Sequence, residues 1–279
     1  MKIIDVDALF DAYIGEFVVK NIKVLKPEEI EDKIAELYVK FGDEKLKELD
    51  GKTPNTFYRD CSGKELIKAL TEHVEKSVPV SDFLCEAIIE KAEASDDLVN
   101  LLDGDNDELK AYAINLIGDM KVKKPLKKYV ELLFDGAESE TVKELFIENL
   151  KENVNEVKDE ILEIYPSLEG EEKLYALEIL SSVNKDDRVF SLLIREFLTG
   201  ENLLILTAYL LRYGDERALN YLMEKIEDKN VNYQEFKELK AAIEGLGGEY
   251  EKERDFSGDK IYKKIKEQAE KDKKIKFES

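Results

Sequence analysis

The sequence predicts an all-α protein whose second half is an α-solenoid, a stack of antiparallel helix pairs behind an N-terminal helical cap region. Three observations predict it. Apolar residues make up 43% of the chain and charged residues 38%, the mixture expected of amphipathic helices with one dry stripe and one wet face. Strand signals are poor: only 14 Gly and 5 Pro punctuate 279 residues, and short β-branched runs between turn clusters are missing. Apolar patterns also recur at intervals. Tyr112-Ala113-Ile114-Asn115-Leu116-Ile117 aligns with Tyr175-Ala176-Leu177-Glu178-Ile179-Leu180 at an offset of 63, which also carries Leu126, Tyr129, Val130 and Phe134 onto Val189, Leu192, Leu193 and Phe197. Asp186-Asp187-Arg188-Val189 and Asp215-Glu216-Arg217-Ala218 lie 29 apart, and residues 141–168 supply a further helix pair between the two copies. The underlying period is about 30–33 residues.

Taken in order, helices are expected at 5–20, 27–41, 64–76 and 81–94 in the first part. Pro27-Glu28-Glu29 suits a helix start, with acids at the positive end of the dipole. Ser62 to Glu65 has capping-box spacing, and residues 49–55 form a turn cluster. The array itself predicts helices at 108–118 and 124–135, 140–151 and 155–165, 171–183 and 186–198, 202–213 and 215–228, then 232–246. Thr141 to Glu144 has capping-box spacing and Pro125 suits a first turn. Gly118, Gly136, Gly170, Gly200 and Gly214 fall near predicted helix ends. From Glu249 the pattern loosens. Residues 259–274 read as a Lys/Glu-rich helix with a thin stripe of Ile261, Ile265 and Ala269, which favours packing on the end of the array.

A lone helix pair cannot cover its own apolar stripe, whereas a neighbouring pair can. The turns Gly118-Asp119, Asp187-Arg188 and Gly214-Asp215 with Arg217, each between an Ala/Leu-rich helix and a second helix, resemble those of the HEAT-repeat family of α-solenoids, particularly its short bacterial variety. The copy at 141–168 departs from the pattern, with Asn153 and Asn155 at its turn. The resemblance implies a curved stack over roughly 105–248 and no particular chemistry. The expected organisation is 1–103, helical cap or degenerate repeats; 104–250, repeat array; 251–279, helix or tail.

Composition narrows function. The formal charge of −21 disfavours general nucleic-acid binding, which rests on Lys and Arg neutralising phosphate. The local exceptions are Lys121, Lys123, Lys124, Lys127 and Lys128, and the basic stretch from Asp259. The longest apolar run, Leu203 to Leu211, is nine residues, too short for a membrane span. Acids appear too early for a signal peptide, and Cys61 and Cys85 form no CxxC pattern. A cytoplasmic protein with reduced thiols is expected.

No motif for chemistry survives its spacing test. Gly51-Lys52-Thr53 has Leu46 where a phosphate loop needs Gly, and Pro54 removes an amide from the cradle. Asp103 to Asp107 opens like a calcium loop, but Glu108 and Ile114 occupy its Gly and Glu positions. Gly245-Leu246-Gly247-Gly248 terminates a helix. His73, the only histidine, excludes a His–His metal pair and reads as a surface or boundary residue on a Lys/Glu-rich helix, though Cys61 and Cys85 are conceivable dyad partners. Glu171-Glu172 and Glu138 to Glu144 read as solvated helix starts. Phe134, Phe190, Phe197, Tyr209 and Phe236 read as core. No catalytic, metal or cofactor residue is expected. The leading expectation is a non-enzymatic scaffold that presents a surface to another protein; the alternative is a nucleic-acid-associated protein using the lysine patch and basic tail.

Overall fold

Helix starts follow the local capping chemistry. The computed structural model describes residues 2–135 and 138–268, and among these there are helices and turns but no strand. Asp5 accepts from the Ala8 amide at 2.8 Å and Asn106 from the Leu109 amide at 3.0 Å. Ser62 with Glu65, and Asn232 with Glu235, form reciprocal capping boxes. Gly200 (φ 79°) and Gly214 (φ 72°) end their helices in the left-handed region that favours glycine. Thr141 does not cap: its helix starts at Glu140, so Thr141 lies inside it.

Contacts divide the chain into two units, Met1–Asn149 and Leu150–Ser279. The first holds α1 (Val6–Asn21), α2 (Pro27–Glu31), α3 (Ile34–Gly42), α4 (Pro54–Phe57), α5 (Gly63–Glu75), α6 (Asp82–Ile89), α7 (Ala94–Leu101), α8 (Asp107–Asp119), α9 (Leu126–Phe134) and most of α10 (Glu140–Glu152). Two expectations fail here. The helix expected at 27–41 breaks at Asp32-Lys33, and the separate α3 sets Phe41 against Phe10 and Tyr13 of α1, centroids 5.2 and 5.6 Å apart. The helix expected at 81–94 stops at Ile89, and α7 follows as a helix of its own. Gly63 admits its close approach: a Cβ there would lie 3.0 Å from the Ala94 backbone nitrogen.

Leu66, Leu70, Leu84, Ile88 and Leu98 are fully buried where α5 to α8 pack. Farther along, Tyr129 stacks on Phe146 at 4.9 Å, and its hydroxyl is buried without a hydrogen-bond partner. A buried hydroxyl with no partner forfeits its bonds to water. Tyr129→Phe is therefore expected to stabilise, by about 1 kcal/mol, read as a higher midpoint in urea denaturation.

The second unit holds α11 (Val154–Ile164), α12 (Gly170–Leu180), α13 (Asp187–Thr199), α14 (Leu203–Tyr213), α15 (Leu219–Ile226), opened by a 3-10 turn at Glu216–Ala218, and α16 (Tyr233–Gly245). The chain then runs without regular structure from 248 to 256 and is helical again over 260–268. Here α11 packs on α12, α13 on α14, and α14 and α15 on α16. Leu180, Leu193, Phe197, Leu222, Leu239 and Ile243 are all fully buried.

Polar ties in this unit link residues at a recurrent separation. Arg188 grips Asp186 two residues back and reaches Asp159 at 2.7 Å. Arg217 repeats both moves, gripping Asp215 and reaching Asp187 at 2.9 Å. Lys158 pairs with Asp186, Lys151 with Glu178, and the Tyr213 hydroxyl takes the Asp186 amide and donates to its carbonyl. The separations run from 27 to 30 residues. The Arg188 and Arg217 guanidiniums hold the Asp186 and Asp215 carboxyls below the usual aspartate range. Exposed pairs of this kind are screened by solvent and contribute little individually.

Candidate functional site

The structure gives several of the residues singled out in the sequence a partner or a place in the core. His73 is buried, 1% exposed, so the surface reading is corrected. Its Nδ1 lies 2.8 Å from the Pro79 carbonyl oxygen. That oxygen can only accept, so Nδ1 carries the proton, and Nε2 is left buried without a partner. Neither thiol is activated for a dyad. Burial, then the Asp82 charge, pushes Cys85 up to about 11, and burial, then Glu65, raises Cys61. Each is thus mainly thiol at neutral pH. No group of His, Cys, Asp and Glu among the described residues is arranged to hold a metal ion.

The turn motifs have ordinary roles as well. Gly51 is left-handed, Lys52 pairs with Asp60, and Pro54 starts α4. Asp103 pairs with Lys128, and Asn106 caps α8. Glu138, expected to be solvated, is buried against Lys110. Phe190, Phe197, Tyr209 and Phe236 are core, while Phe134 is half-buried. The lysine cluster is partly spent: Lys124 pairs with Asp96 and Lys128 with Asp103, each at 2.7 Å. Gly136 and the end of the expected 259–274 helix lie outside the described residues.

The structure instead forms a groove between α16 and the strap at 249–256. Tyr233, Phe236, Lys237, Lys240, Ala241 and Glu244 recur at helical spacing on one face of α16 and form one wall. Lys252, Glu253, Arg254 and Phe256 form the other, enclosing about 490 Å³. The strap is held firmly. Arg254 donates to the carbonyls of Ile226 at 2.5 Å, Asp228 at 2.9 Å and Val231 at 3.5 Å, at and just past the end of α15, where the Asp228 carbonyl also accepts from the Val231 amide at 3.2 Å. Its guanidinium also lies over the Phe236 and Phe256 rings, 5.1 and 5.8 Å from their centroids. Tyr250 and Lys252 bond Glu227 at 3.1 and 2.6 Å, and Lys252 holds that carboxyl low.

Phe256 packs on Tyr233 and Phe236, centroids 5.4 and 5.2 Å apart, and Tyr262 packs on Tyr233 at 4.9 Å. Asp259 accepts from the Tyr262, Tyr233 and Ile261 amides, which lower its pKa and tie the start of the last helix to α16. That segment packs at its beginning as expected, whereas Ile265 is 48% exposed. Four cations face two carboxylates in this groove, on a chain of net charge −21. Lys240 pairs with Glu244 at 3.8 Å and Lys252 with Glu227, which leaves Lys237 without an ion pair among the described residues. An aromatic floor beside unspent positive charge suits an anionic group carried next to an apolar one.

Sequence reasoning missed this groove because residues 249–256 carry no helical pattern. Tyr250, Arg254 and Phe256 pack toward α15 and α16, and Lys252, exposed like Glu249, Glu251, Glu253 and Asp255, reaches Glu227. No protein-family model matches the chain, and no curated protein matches it.

Proposed function

We propose that this protein is a non-enzymatic scaffold of stacked, HEAT-like helix pairs, and that the groove beside α16 anchors an acidic, aromatic-bearing segment of a partner protein. The observation that carries the reading is the cationic, aromatic groove held open by Arg254 on an otherwise acidic chain. Charge of that sign steers an acidic partner and penalises a basic one. The stacked arrangement is supported by polar ties between residues 27 to 34 apart on successive helices of the second unit. Such ties are what layers of about that length produce when each rests on the next. The sequence and the helices suggest no reaction for a pocket of this kind, and no helix among the described residues is long and apolar enough to cross a membrane.

The test is fluorescence polarisation with a labelled Asp-Glu-Phe-Asp-Glu peptide. Binding is expected to weaken with salt and to fall at least about tenfold in the Lys237→Glu/Lys240→Glu double variant. Both side chains are at least partly exposed, so the fold is retained. Equal affinity for a Lys-rich peptide, or indifference to the double variant, defeats the proposal. Displacement of the peptide by a single-stranded oligonucleotide at about 150 mM salt would reassign the groove to nucleic acid.

A further inference from the structure

We infer that a second cavity, bordered by the starts of α12 and α14, binds a small zwitterion with an apolar side chain, a free amino acid or a dipeptide. It lies wholly inside the second unit, shares no lining residue with the groove and stands or falls independently of it. The cavity encloses about 580 Å³, a volume suited to a small molecule. Its lining comes from Tyr165 just past α11, the first turns of α12, the last turn of α13 and the entry to α14.

Tyr165 is the group that asks for a ligand. It is 3% exposed, and its hydroxyl is buried without a hydrogen-bond partner. Burial, then the nearby Glu196 carboxylate, pushes that hydroxyl above the usual tyrosine range. Both residues line the cavity, which sets the hydroxyl on its Glu196 side. A buried hydroxyl with no partner bears the cost of its lost water until something else bonds it.

The charged groups around it define the ligand. Lys173 makes no ion pair among the described residues, and its ammonium lies 5.9 Å from the centre of the Tyr165 ring. Glu171 and Glu201 make none either, while Glu196 holds the neighbouring Arg195. At the entry to α14, Asn202 is left-handed (φ 52°) and its side chain does not cap the helix. The amides of that first turn are therefore open to a ligand.

A plain anion would meet three carboxylates here, and a plain cation would meet Lys173 and the positive end of α14. A zwitterion satisfies both sets. Its carboxylate takes Lys173 and the α14 amides, and its ammonium lies among Glu171, Glu196 and Glu201, with the Tyr165 hydroxyl as a further acceptor. Leu174, Leu177 and Leu206 receive the apolar side chain.

The test is isothermal titration of the full-length protein with L-leucine and with the dipeptide Leu-Leu, the tighter of the two naming the source. Each single charge is removed in turn with leucinamide, which lacks the carboxylate, and 4-methylpentanoate, which lacks the ammonium. Leucine is expected to bind at least about tenfold tighter than either, a difference of about 1.4 kcal/mol. In Lys173→Gln the preference over leucinamide is expected to shrink to less than about threefold, while the preference over 4-methylpentanoate persists. Tyr165→Phe is expected to weaken leucine at least about fivefold and to leave the urea midpoint unchanged or higher, because the hydroxyl has no partner to lose. If neither zwitterion binds tighter than about 1 mM, or an analogue with one charge binds as well, the inference is wrong. Binding that both variants leave unchanged would place the ligand elsewhere and overturn it. So would a lowered midpoint in Tyr165→Phe, since the protein itself would then be satisfying the hydroxyl.

Discussion

Glu138→Ala is expected to cost the first unit about 3–5 kcal/mol, read as a large drop in its urea midpoint. The Lys110 ammonium and the Glu138 carboxylate lie 2.7 Å apart at one oxygen and closer at the other, with side chains 9% and 6% exposed. In that setting the pair itself adds little net stability, because both charges were taken out of water to form it. Removing one partner is a different matter: Lys110 keeps its desolvation penalty and loses the attraction that offset it. The control is the double variant Lys110→Met/Glu138→Leu, which is expected to recover most of the loss because no charge is then buried. A single variant costing less than about 1 kcal/mol would show the pair to be effectively solvated. Glu138 also sits just before α10, so its loss frees the chain that delivers that helix.

This pair marks a limit of sequence reading. Lys110, Ala113, Ile114 and Ile117 fall at i, i+3, i+4 and i+7 on α8, and all four are buried. The helical period thus placed a lysine on the dry face, but nothing local identified the partner 28 residues away. His73 belongs to the same class. Its stripe neighbours Ala69, Leu70 and Val74 are buried with it, and the charged residues around it disguised the position as surface. Asp186-x-Arg188 and Asp215-x-Arg217 were legible because much of their chemistry is local: the arginine bonds a carboxylate two residues back before reaching further.

Helix positions were legible for the same reason, with failures where packing overrode pattern. At 27–41 the amphipathic run breaks so that Leu37 and Phe41 can be buried. The groove was illegible for a different reason. Its wall on α16 was read from sequence only through Phe236, as core, and its other wall is irregular chain in a protein otherwise read at helical period. Neither half carries the site alone.

Arg254→Ala is expected to remove the groove and to destabilise the second unit by about 2–4 kcal/mol, since hydrogen bonds from a charged donor are worth about 1.5–3 kcal/mol each and are not additive. The guanidinium joins three things at once. It donates to the carbonyls of Ile226, Asp228 and Val231 at and just past the end of α15, it lies over Phe236 and Phe256, and it fixes the strap that forms the wall. Without it those carbonyls turn to water, and Phe256 loses the contact that holds it beside Tyr233. Arg254→Lys is expected to recover little, because a single ammonium cannot match a planar fork that spreads over three acceptors. Two measurements separate the site from the fold. Calorimetric unfolding reads the loss of stability, and titration with the Asp-Glu-Phe-Asp-Glu peptide at a temperature well below the variant's midpoint reads the groove. Peptide affinity retained in Arg254→Ala with the fold intact would mean that α16 alone forms the site, and the strap would then have no part in recognition. Affinity lost in Arg254→Ala but kept in Glu251→Gln, an exposed acid of the same strap that makes no bond to α15 or α16, ties recognition to the placement of the strap by Arg254 and not to its acidic charge.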